Sequence, residues 1–265
     1  MNVREPNETV DMDHIFGTLR SELLRLTVDF GLGAEEVVVT TPLTPTEAIG
    51  NPEDRDYPII TGRETMLQAV VRDAAGQAFT DMAGEYSASV QEIANMPLTN
   101  NFRRAVFAAT LNAVVRYAGL VDVSRHCKDE APRRCAEEVG TWIAERFGSE
   151  DESLTPNNDL RILIVGFQPR LIERMAASHH VRVTDLDAAN VGREHFGATV
   201  HDAAHTPELL DWCDLALVTG TTLANGTIAP FVQRAQTGLP TVFYGVTISG
   251  AARLLGLDHV CPCGD

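Results

Sequence analysis

The chain has 265 residues, a formal net charge of −16 and an apolar fraction of 44%. This length suffices for one large domain or two smaller ones with real cores. The acidic charge argues against a nucleic-acid partner, because binding phosphates requires a basic face. No segment approaches the ~20 apolar residues of a membrane span, and the acidic N-terminus has the features of neither a signal nor a transit peptide. We therefore expect a cytoplasmic protein that binds neither nucleic acid nor membrane.

Helical and extended patterns follow one another irregularly in the first half of the chain. Apolar spacing of three and four residues is typical of amphipathic helices, and strict alternation is typical of strands. These patterns predict helices at 13–30, 86–96, 99–119 and 132–147, a strand at 35–43, and a hairpin within 65–84 that turns near Gly76. We interpret residues 1–148 as an α+β domain, followed by an acidic linker over 149–159.

The second half of the chain has a regular pattern. Short apolar segments alternate with helical ones, which is typical of a parallel sheet covered on both faces. The predicted strands cover 160–166, 180–186, 197–201, 213–220, 240–245 and 258–262, and the predicted helices cover 169–177, 207–212, 229–236 and 250–255. Residues 160–265 are therefore predicted to form a Rossmann-like α/β domain with a doubly wound parallel sheet, preceded by the smaller α+β domain.

In such a sheet, ligands bind beyond the carboxyl ends of the strands. Four loops have that position: "GFQP", "DLDAAN", "TGTTLANGT" and "GVTISG". The first contains Gly166 and Phe167 but lacks the three glycines of dinucleotide-binding folds, so ordinary NAD or FAD binding is not expected. The second provides Asp185 and Asp187 as candidate catalytic residues that orient a ligand or transfer protons. The alternative for Asp187 is that it caps a following helix.

The third loop is the richest in hydrogen-bonding groups. Its candidate ligand-binding residues are Thr219, Gly220, Thr221, Thr222, Asn225, Gly226 and Thr227. A helix that begins at or after Asn225 would direct its positive dipole end at them, which favours a small anionic or nucleotide-like ligand. A helix cap alone would explain one or two of these residues, but not the whole set.

These loops resemble those of the "putative heavy-metal chelation" domain family. Its "TGTTL-N-T" pattern is matched at 219–227, whereas the first loop carries an inserted Gln168 and the fourth, with Gly245 and Thr247, lacks the usual proline. The "LNA" of 111–113 is similar to an "A-x-N-A" of the family's N-terminal domain. The resemblance implies a Rossmann-like domain joined to one like the enolase N-terminal fold. It also implies a binding or active site in the cleft between them, and a link to metal-chelating compounds.

The cysteines offer a second kind of site. The sequence has five, and this odd number without a signal peptide predicts reduced thiols. Cys127, Cys135, Cys261 and Cys263, with His126, have the donor types that bind zinc, copper(I) or an iron–sulfur cluster. Their spacing matches no standard zinc motif, and the alternative is that they are small residues near turns. Cys213 opens an apolar strand and is expected to be an inert core thiol.

Three functions follow as hypotheses. The first is an enzyme of small-molecule metabolism, acting on a ligand such as a metal-chelating compound in the interdomain cleft. The second is a metal-handling protein that uses the cysteines, and the third is a ligand sensor without catalysis. The sequence leaves open whether the protein is an enzyme, whether its cofactor is a transition metal or a nucleotide-like ligand, and whether it forms a homo-oligomer.

Overall fold

The computed structural model describes residues 10–39, 42–62, 64–147 and 160–265. The predicted linker over 149–159 lies outside these residues, and the domain boundaries stay a prediction. The helices are α1 (Met12–Asp29), α2 (Pro45–Ile49), α3 (Pro58–Thr61), α4 (Val90–Asn95), α5 (Asn101–Tyr117), α6 (Ala131–Phe147), α7 (Pro169–Ala176), α8 (Thr206–Trp212), α9 (Thr221–Asn225), α10 (Ala229–Gln236) and α11 (Ser249–Leu255). The strands are β1 (Glu36–Val39), β2 (Thr65–Val71), β3 (Ala74–Thr80), β4 (Tyr86–Ser89), β5 (Arg161–Val165), β6 (His180–Asp185), β7 (Glu194–His195), β8 (Ala198–Asp202), β9 (Leu215–Thr219), β10 (Thr241–Tyr244) and β11 (His259–Val260).

The described residues form two sheets. The first is antiparallel, with the order β3-β2-β1-β4. The second has the order β11-β10-β9-β5-β6-β8-β7, and all of its pairs are parallel except the short β7, which is antiparallel to β8. The chain runs outward in one direction from β5 to β8 and then crosses back to β9 beside β5. This reversal is the topological switch point of a Rossmann-like fold, so the predicted α/β fold is confirmed.

The hairpin of the first sheet turns at a different place from the one predicted. Strands β2 and β3 pair in register from Thr65 opposite Thr80 to Val71 opposite Ala74, so the turn lies at Arg72 and Asp73. Gly76 lies inside β3, opposite Ala69. The position requires glycine because a Cβ atom there would lie 2.3 Å from the Ala109 carbonyl oxygen of α5. The glycine therefore serves close packing between strand and helix rather than a turn.

The helix predicted over 86–96 is also shorter than expected. Residues Tyr86–Ser89 form β4, which pairs with β1 from Glu36 opposite Ser89. Helix α4 begins only after Ser89, whose side chain forms a capping box with Glu92. The segment is extended because it forms backbone hydrogen bonds with the edge of β1. The local sequence pattern gives no sign of this distant partner.

The other predicted helices of the first half form as expected. The side chain of Asn100 caps α5 by accepting a hydrogen bond from the Arg103 backbone N–H at 2.9 Å. Gly119, in the left-handed region with φ of +67°, follows the end of this helix. No helix in the described part of the chain is long and apolar enough to cross a membrane.

Helix α5 lies at the centre of a core that extends into both halves of the chain. Its side chains from Ala105 to Val115 are all buried. They belong to one hydrophobic cluster with Leu67 of β2 on one side and with Leu223 and Ala251 of α9 and α11 on the other. Residues of both sheets therefore belong to one continuous apolar cluster.

A fully buried asparagine joins the two halves through this helix. Asn112 donates hydrogen bonds to the carbonyl oxygens of Gln77 in β3 and Val246 after β10, each at 2.9 Å. Its own side-chain oxygen accepts from the Gly250 N–H at 2.8 Å. These partners and the more distant Thr247 carbonyl oxygen, at 3.3 Å, are all backbone groups, so the side chain satisfies polar groups that would otherwise be buried without a partner.

We expect Asn112→Ala to lower the free energy of unfolding by about 3 kcal/mol, because it leaves these backbone groups unpaired in the core. Urea denaturation followed by circular dichroism measures the change. The matched control is Asn95→Ala on the exposed face of α4, which should change stability by less than about 0.5 kcal/mol. Equal effects of the two substitutions would contradict the role given to Asn112.

Candidate functional site

A cavity of about 1600 Å³ lies beyond the carboxyl ends of β5, β6, β9, β10 and β11. It exceeds the roughly 300–1,000 Å³ of typical small-molecule sites. The C-terminal half supplies the loops that follow these strands. The first half covers them with residues that include Tyr57, Glu64, Phe79, Asp81 and Asn101.

The predicted ligand-binding loops come together around this cavity. The lining includes Gly166, Phe167, Asp185, Asp187, Thr219, Gly220, Thr221, Thr222, Asn225, Thr227, Gly245 and Thr247. Gly226 is not part of the lining. It ends α9 in the left-handed region with φ of +75° and packs against the Arg104 guanidinium. The geometry thus assembles the loops in one place, while their ligands stay predictions.

The threonine-rich loop contains a short helix that was not predicted. Helix α9 begins at Thr221, directly after Gly220, and precedes the predicted helix, which forms as α10 from Ala229. The buried Thr222 hydroxyl donates to the Thr219 carbonyl oxygen at 2.8 Å, which holds the start of α9. Because α9 has only five residues, its dipole provides less support for an anion than the sequence suggested.

Two hydroxyls of this loop lie side by side at the cavity. The Thr219 and Thr221 hydroxyl oxygens lie 3.1 Å apart, and both side chains are partly buried. Gly166 allows the first loop to pack on them, since a Cβ atom there would lie 2.7 Å from the Thr219 methyl group. Thr247, in contrast, is buried and accepts a hydrogen bond from the Phe79 N–H at 3.0 Å, so its hydroxyl joins the two halves.

The two predicted catalytic aspartates have mainly structural contacts. One Asp185 oxygen accepts from the Phe167 N–H at 2.8 Å, and the other accepts from the Asp187 N–H at 2.8 Å. Asp185 therefore fixes the shapes of two loops and is better described as a positioning residue. Asp187 accepts from the Ala189 N–H at 2.9 Å. It caps a turn that leads into β7, and the helix expected there does not form.

Glu64, which was not predicted as a site residue, lines the same cavity from the position before β2. Burial, followed by the negative charges of Asp185, Asp81 and Asp187, raises its pKa from 4.5 to about 7. A carboxyl group with this pKa is well suited to give or accept a proton near neutral pH. No motif marks Glu64, because it approaches the loops only through the packing of the two halves.

Tyr244 lines the cavity, Arg170 lies in α7 between the lining residues Gln168 and Leu171, and both side chains have structural partners. The buried Tyr244 hydroxyl donates to the Val165 carbonyl oxygen at 2.9 Å, and burial raises its pKa. The Arg170 guanidinium, nearly inaccessible to solvent, pairs with Asp56 at 2.6 Å and with Glu173 at 2.7 Å. The Arg170–Asp56 pair joins the first half of the chain to α7, as buried ion pairs do when both charges are matched.

The four candidate metal-binding cysteines converge at one end of the cavity. Cys127, Cys135 and Cys261 line it together with His126, and the Cys135 thiol interacts with those of Cys127 and Cys263. The interaction with Cys135 and burial raise the pKa of Cys127, whereas the contact with Cys127 lowers the pKa of Cys135. One thiol of the pair therefore keeps its proton while the other ionises more readily.

The structure also limits what these groups form. Within 10–39, 42–62, 64–147 and 160–265, no group of three or more histidine, cysteine, aspartate or glutamate side chains is arranged to hold a metal ion. Burial lowers the pKa of His126, whose Nδ1 donates to the Cys127 carbonyl oxygen at 2.6 Å. Cys213 is buried, and burial raises its pKa to about 11, in keeping with an inert core thiol.

The fold and the cavity define a Rossmann-like protein whose ligand-binding edge is covered by a second, antiparallel sheet. Residues 152–260 match the model of the DUF364 family, described as "Putative heavy-metal chelation", and the resemblance predicted from the sequence is confirmed. No curated protein matches the chain.

Two solved structures are similar to this protein, and both are DUF364 proteins of unknown function. The one from Pyrococcus horikoshii is 16% identical with a TM-score of 0.50, and the match covers 88% of this chain and 79% of that chain. The one from Desulfitobacterium hafniense DCB-2 is 10% identical with a TM-score of 0.54, and the match covers 92% and 82%. At these identities the similarity shows the fold alone.

The raised pKa of Glu64 predicts a specific pH dependence of stability. With a folded pKa of about 7 and an ordinary value of 4.5, the folded state binds more protons between these pH values. The group's contribution to stability is therefore lost as the pH rises through 7. We expect Glu64→Gln to be more stable than the wild type at pH 8 by about 2 kcal/mol, a figure reduced for partial solvent contact, and equally stable near pH 4.5.

Urea denaturation from pH 4.5 to pH 8 measures this difference. Glu145→Gln, on the exposed face of α6, is the matched control and should leave the pH dependence unchanged. Parallel curves for wild type and Glu64→Gln would show that Glu64 ionises normally in the folded protein.

Proposed function

We propose that the cavity binds a small polar metabolite with nucleoside-like hydroxyl groups and that Glu64 exchanges a proton with it. The observation that carries this proposal is that Glu64 lines the same cavity as the threonine-rich loop, where burial and neighbouring carboxylates raise its pKa to about 7. In a Rossmann-like fold this edge of the sheet is where ligands bind. A titratable group with a perturbed pKa in such a cavity is a candidate for acid–base catalysis.

The polar groups of the cavity favour hydroxyl and amine groups on the ligand. Thr219, Thr221 and Asn225 offer side-chain donors and acceptors, and Asp187 adds a carboxylate that can accept from a sugar hydroxyl. Asp81, Asp185 and Asp187 are close enough to Glu64 to raise its pKa. Such a concentration of carboxylates repels a phosphate-rich ligand. A nucleoside-like ligand is therefore favoured over a strongly anionic one.

An enzyme acting on this ligand is favoured over a sensor that only binds it. A carboxyl group with a pKa near 7 is suited to proton transfer at neutral pH, which binding alone does not require. Ionising such a buried group lowers the stability of the protein, so a catalytic role is the better explanation for its position. The description of the DUF364 family supports a substrate that is itself a metal-chelating compound. The metal-handling alternative uses other side chains, the thiols at one end of the cavity, and does not depend on this proposal.

Native mass spectrometry of the protein purified from its own organism is the direct test. We expect an added organic mass on the wild-type chain that is lost on denaturation. The double variant Thr221→Val/Asn225→Leu should not retain it, because both substitutions remove hydrogen-bonding groups without adding charge. Thr141→Val, on the exposed face of α6, is the control and should retain it. A wild-type chain without the added mass, or a double variant that keeps it, would remove the threonine-rich loop from the site.

Adenosine and AMP serve as probes of the ligand class in a thermal-shift assay. We expect adenosine to raise the Tm of the wild type at least as much as AMP does, because the carboxylates oppose the phosphate. The double variant should lose this response. Once a substrate is identified, Glu64→Gln should bind it and fail to turn it over; full activity of Glu64→Gln would refute the catalytic role.

A further inference from the structure

One part of the cavity is not involved in the proposed acid–base function. It lies between α8, α10 and the turn of 3-10 helix Ala203–His205 that follows β8. We call this part the α8–α10 compartment, and it is lined by Thr184, Ala203, Pro207, Leu210, Pro230 and Phe231. Because the cavity measures about 1600 Å³, it has room for a ligand that extends from Glu64 into this compartment.

Thr184 of β6 is on the face of the second sheet that borders this compartment. Side chains alternate between the two faces along a strand. Val183 belongs to the core on one face, so the Thr184 side chain is on the other face, beside its register partner Val165 of β5. Leu210 of α8 belongs to the same hydrophobic cluster as Val165, and the turn Ala203–His205 lies next to β6. The threonine and the two helices therefore border the same space.

The Thr184 hydroxyl is buried and has no hydrogen bond. Only 1% of the residue is exposed, and its Oγ1 atom has no hydrogen-bonding partner among the residues that the structure describes. Burying a hydroxyl without a partner lowers stability, and buried polar groups are nearly always paired. Because Thr184 also lines the cavity, its hydroxyl is available to a ligand bound there.

The rest of the compartment favours an uncharged and largely apolar group. Pro207, Leu210 and Phe231 provide apolar surface. Asp211 and Arg234 are the charged residues of α8 and α10 in the cavity lining, and they form an ion pair at 2.9 Å, so their charges cancel. Arg234 also donates to the Leu210 carbonyl oxygen at 2.8 Å, which joins α10 to α8. Apolar walls with a single free hydroxyl suit a heterocyclic base, which has apolar faces and a hydrogen-bonding edge.

We propose that the α8–α10 compartment binds the heterocyclic base of the nucleoside-like ligand and that the Thr184 hydroxyl forms a hydrogen bond with the edge of this base. The inference rests on the proposed function for the class of ligand, and it adds the residue that recognises the base. The sugar hydroxyls are then left to Thr219 and Thr221. Thr184 only binds, so no proton transfer or covalent step is assigned to it.

Isothermal titration calorimetry of the full chain with adenosine is the first test. We expect Thr184→Val to weaken adenosine binding by about tenfold, because one buried hydrogen bond is lost. The unliganded variant should be at least as stable as the wild type, because valine has nearly the same shape and removes a hydroxyl that has no partner. Thr184→Ser retains the hydroxyl and should keep most of the wild-type affinity.

Thr110→Val is the matched control. The Thr110 hydroxyl of α5 is also buried and without a partner in the described part of the chain, but Thr110 does not line the cavity. Its replacement should therefore change the Tm in the same direction as Thr184→Val and leave the affinity for adenosine unchanged. A loss of affinity in Thr184→Val alone then identifies a contact with the ligand rather than a general change in the core.

Free adenine distinguishes a contact with the base from a contact with the sugar. Thr184→Val should weaken the binding of adenine and of adenosine by the same factor. A loss for adenosine alone would place the hydroxyl at the sugar and overturn the proposal. Ala204→Trp provides a second variant outside the core, since Ala204 is exposed and lines the cavity. The added ring should narrow the compartment and weaken the binding of both probes.

Two further results would overturn the proposal. One is that Thr184→Val binds adenosine as tightly as the wild type while Thr221→Val/Asn225→Leu does not bind it. The cavity would then still be the ligand site of the proposed function, and only the position of the base would be wrong. The other is that the wild type binds neither adenosine nor adenine, which would refute the nucleoside-like ligand as well. The role of Glu64 is measured separately, by turnover.

Discussion

The two sheets are joined at their centre by the hydrogen bonds of one buried side chain, Asn112. Its amide joins β3 of the first sheet to the loop after β10 of the second, from the middle of a helix whose buried face both sheets share. An apolar residue could fill the space but could not satisfy the backbone groups of Gln77, Val246 and Gly250. The cavity lies between the halves that this side chain joins, since each half supplies part of its lining. The positions of Glu64 and the threonine-rich loop relative to each other are thus set by contacts in the core.

Much of the fold could be predicted because its signals are local. The β-branched segments of β5, β9 and β10 and the capped helix α5 carry their patterns in consecutive residues. The predicted secondary structure was wrong where contacts with residues distant in sequence determine the local conformation. Gly76 resembles a turn residue until α5 packs against it, and Tyr86–Ser89 continues a helical pattern until β1 supplies a pairing partner. The short helix α9, which precedes the predicted α10, was not predicted; the Thr222 hydroxyl donates to the Thr219 carbonyl oxygen at its start.

The site was predictable in part for the same reason. The carboxyl-edge rule requires only the order of the strands, so it placed the loops of Gly166, Asp185 and Thr219 around one cavity. The rule did not reveal that both carboxylate oxygens of Asp185 accept hydrogen bonds from backbone N–H groups, those of Phe167 and Asp187. Glu64 was beyond prediction, because its pKa is set by burial and by carboxylates that are distant in sequence. The cysteines were suggested by their residue type, whereas their meeting depends on the backbone pairing of Asp265 with Arg125.

The continuous core around α5 has a consequence for how a ligand reaches its place. Many two-domain proteins open and close about a hinge, with few apolar contacts between the moving parts. Here, separating the halves would expose the buried face of α5 and break the Asn112 and Arg170 contacts. We therefore expect entry and exit to depend on loops and side chains at the mouth of the cavity rather than on separation of the two halves. The shape of the entrance, already formed before binding, would then determine which ligands can enter the cavity.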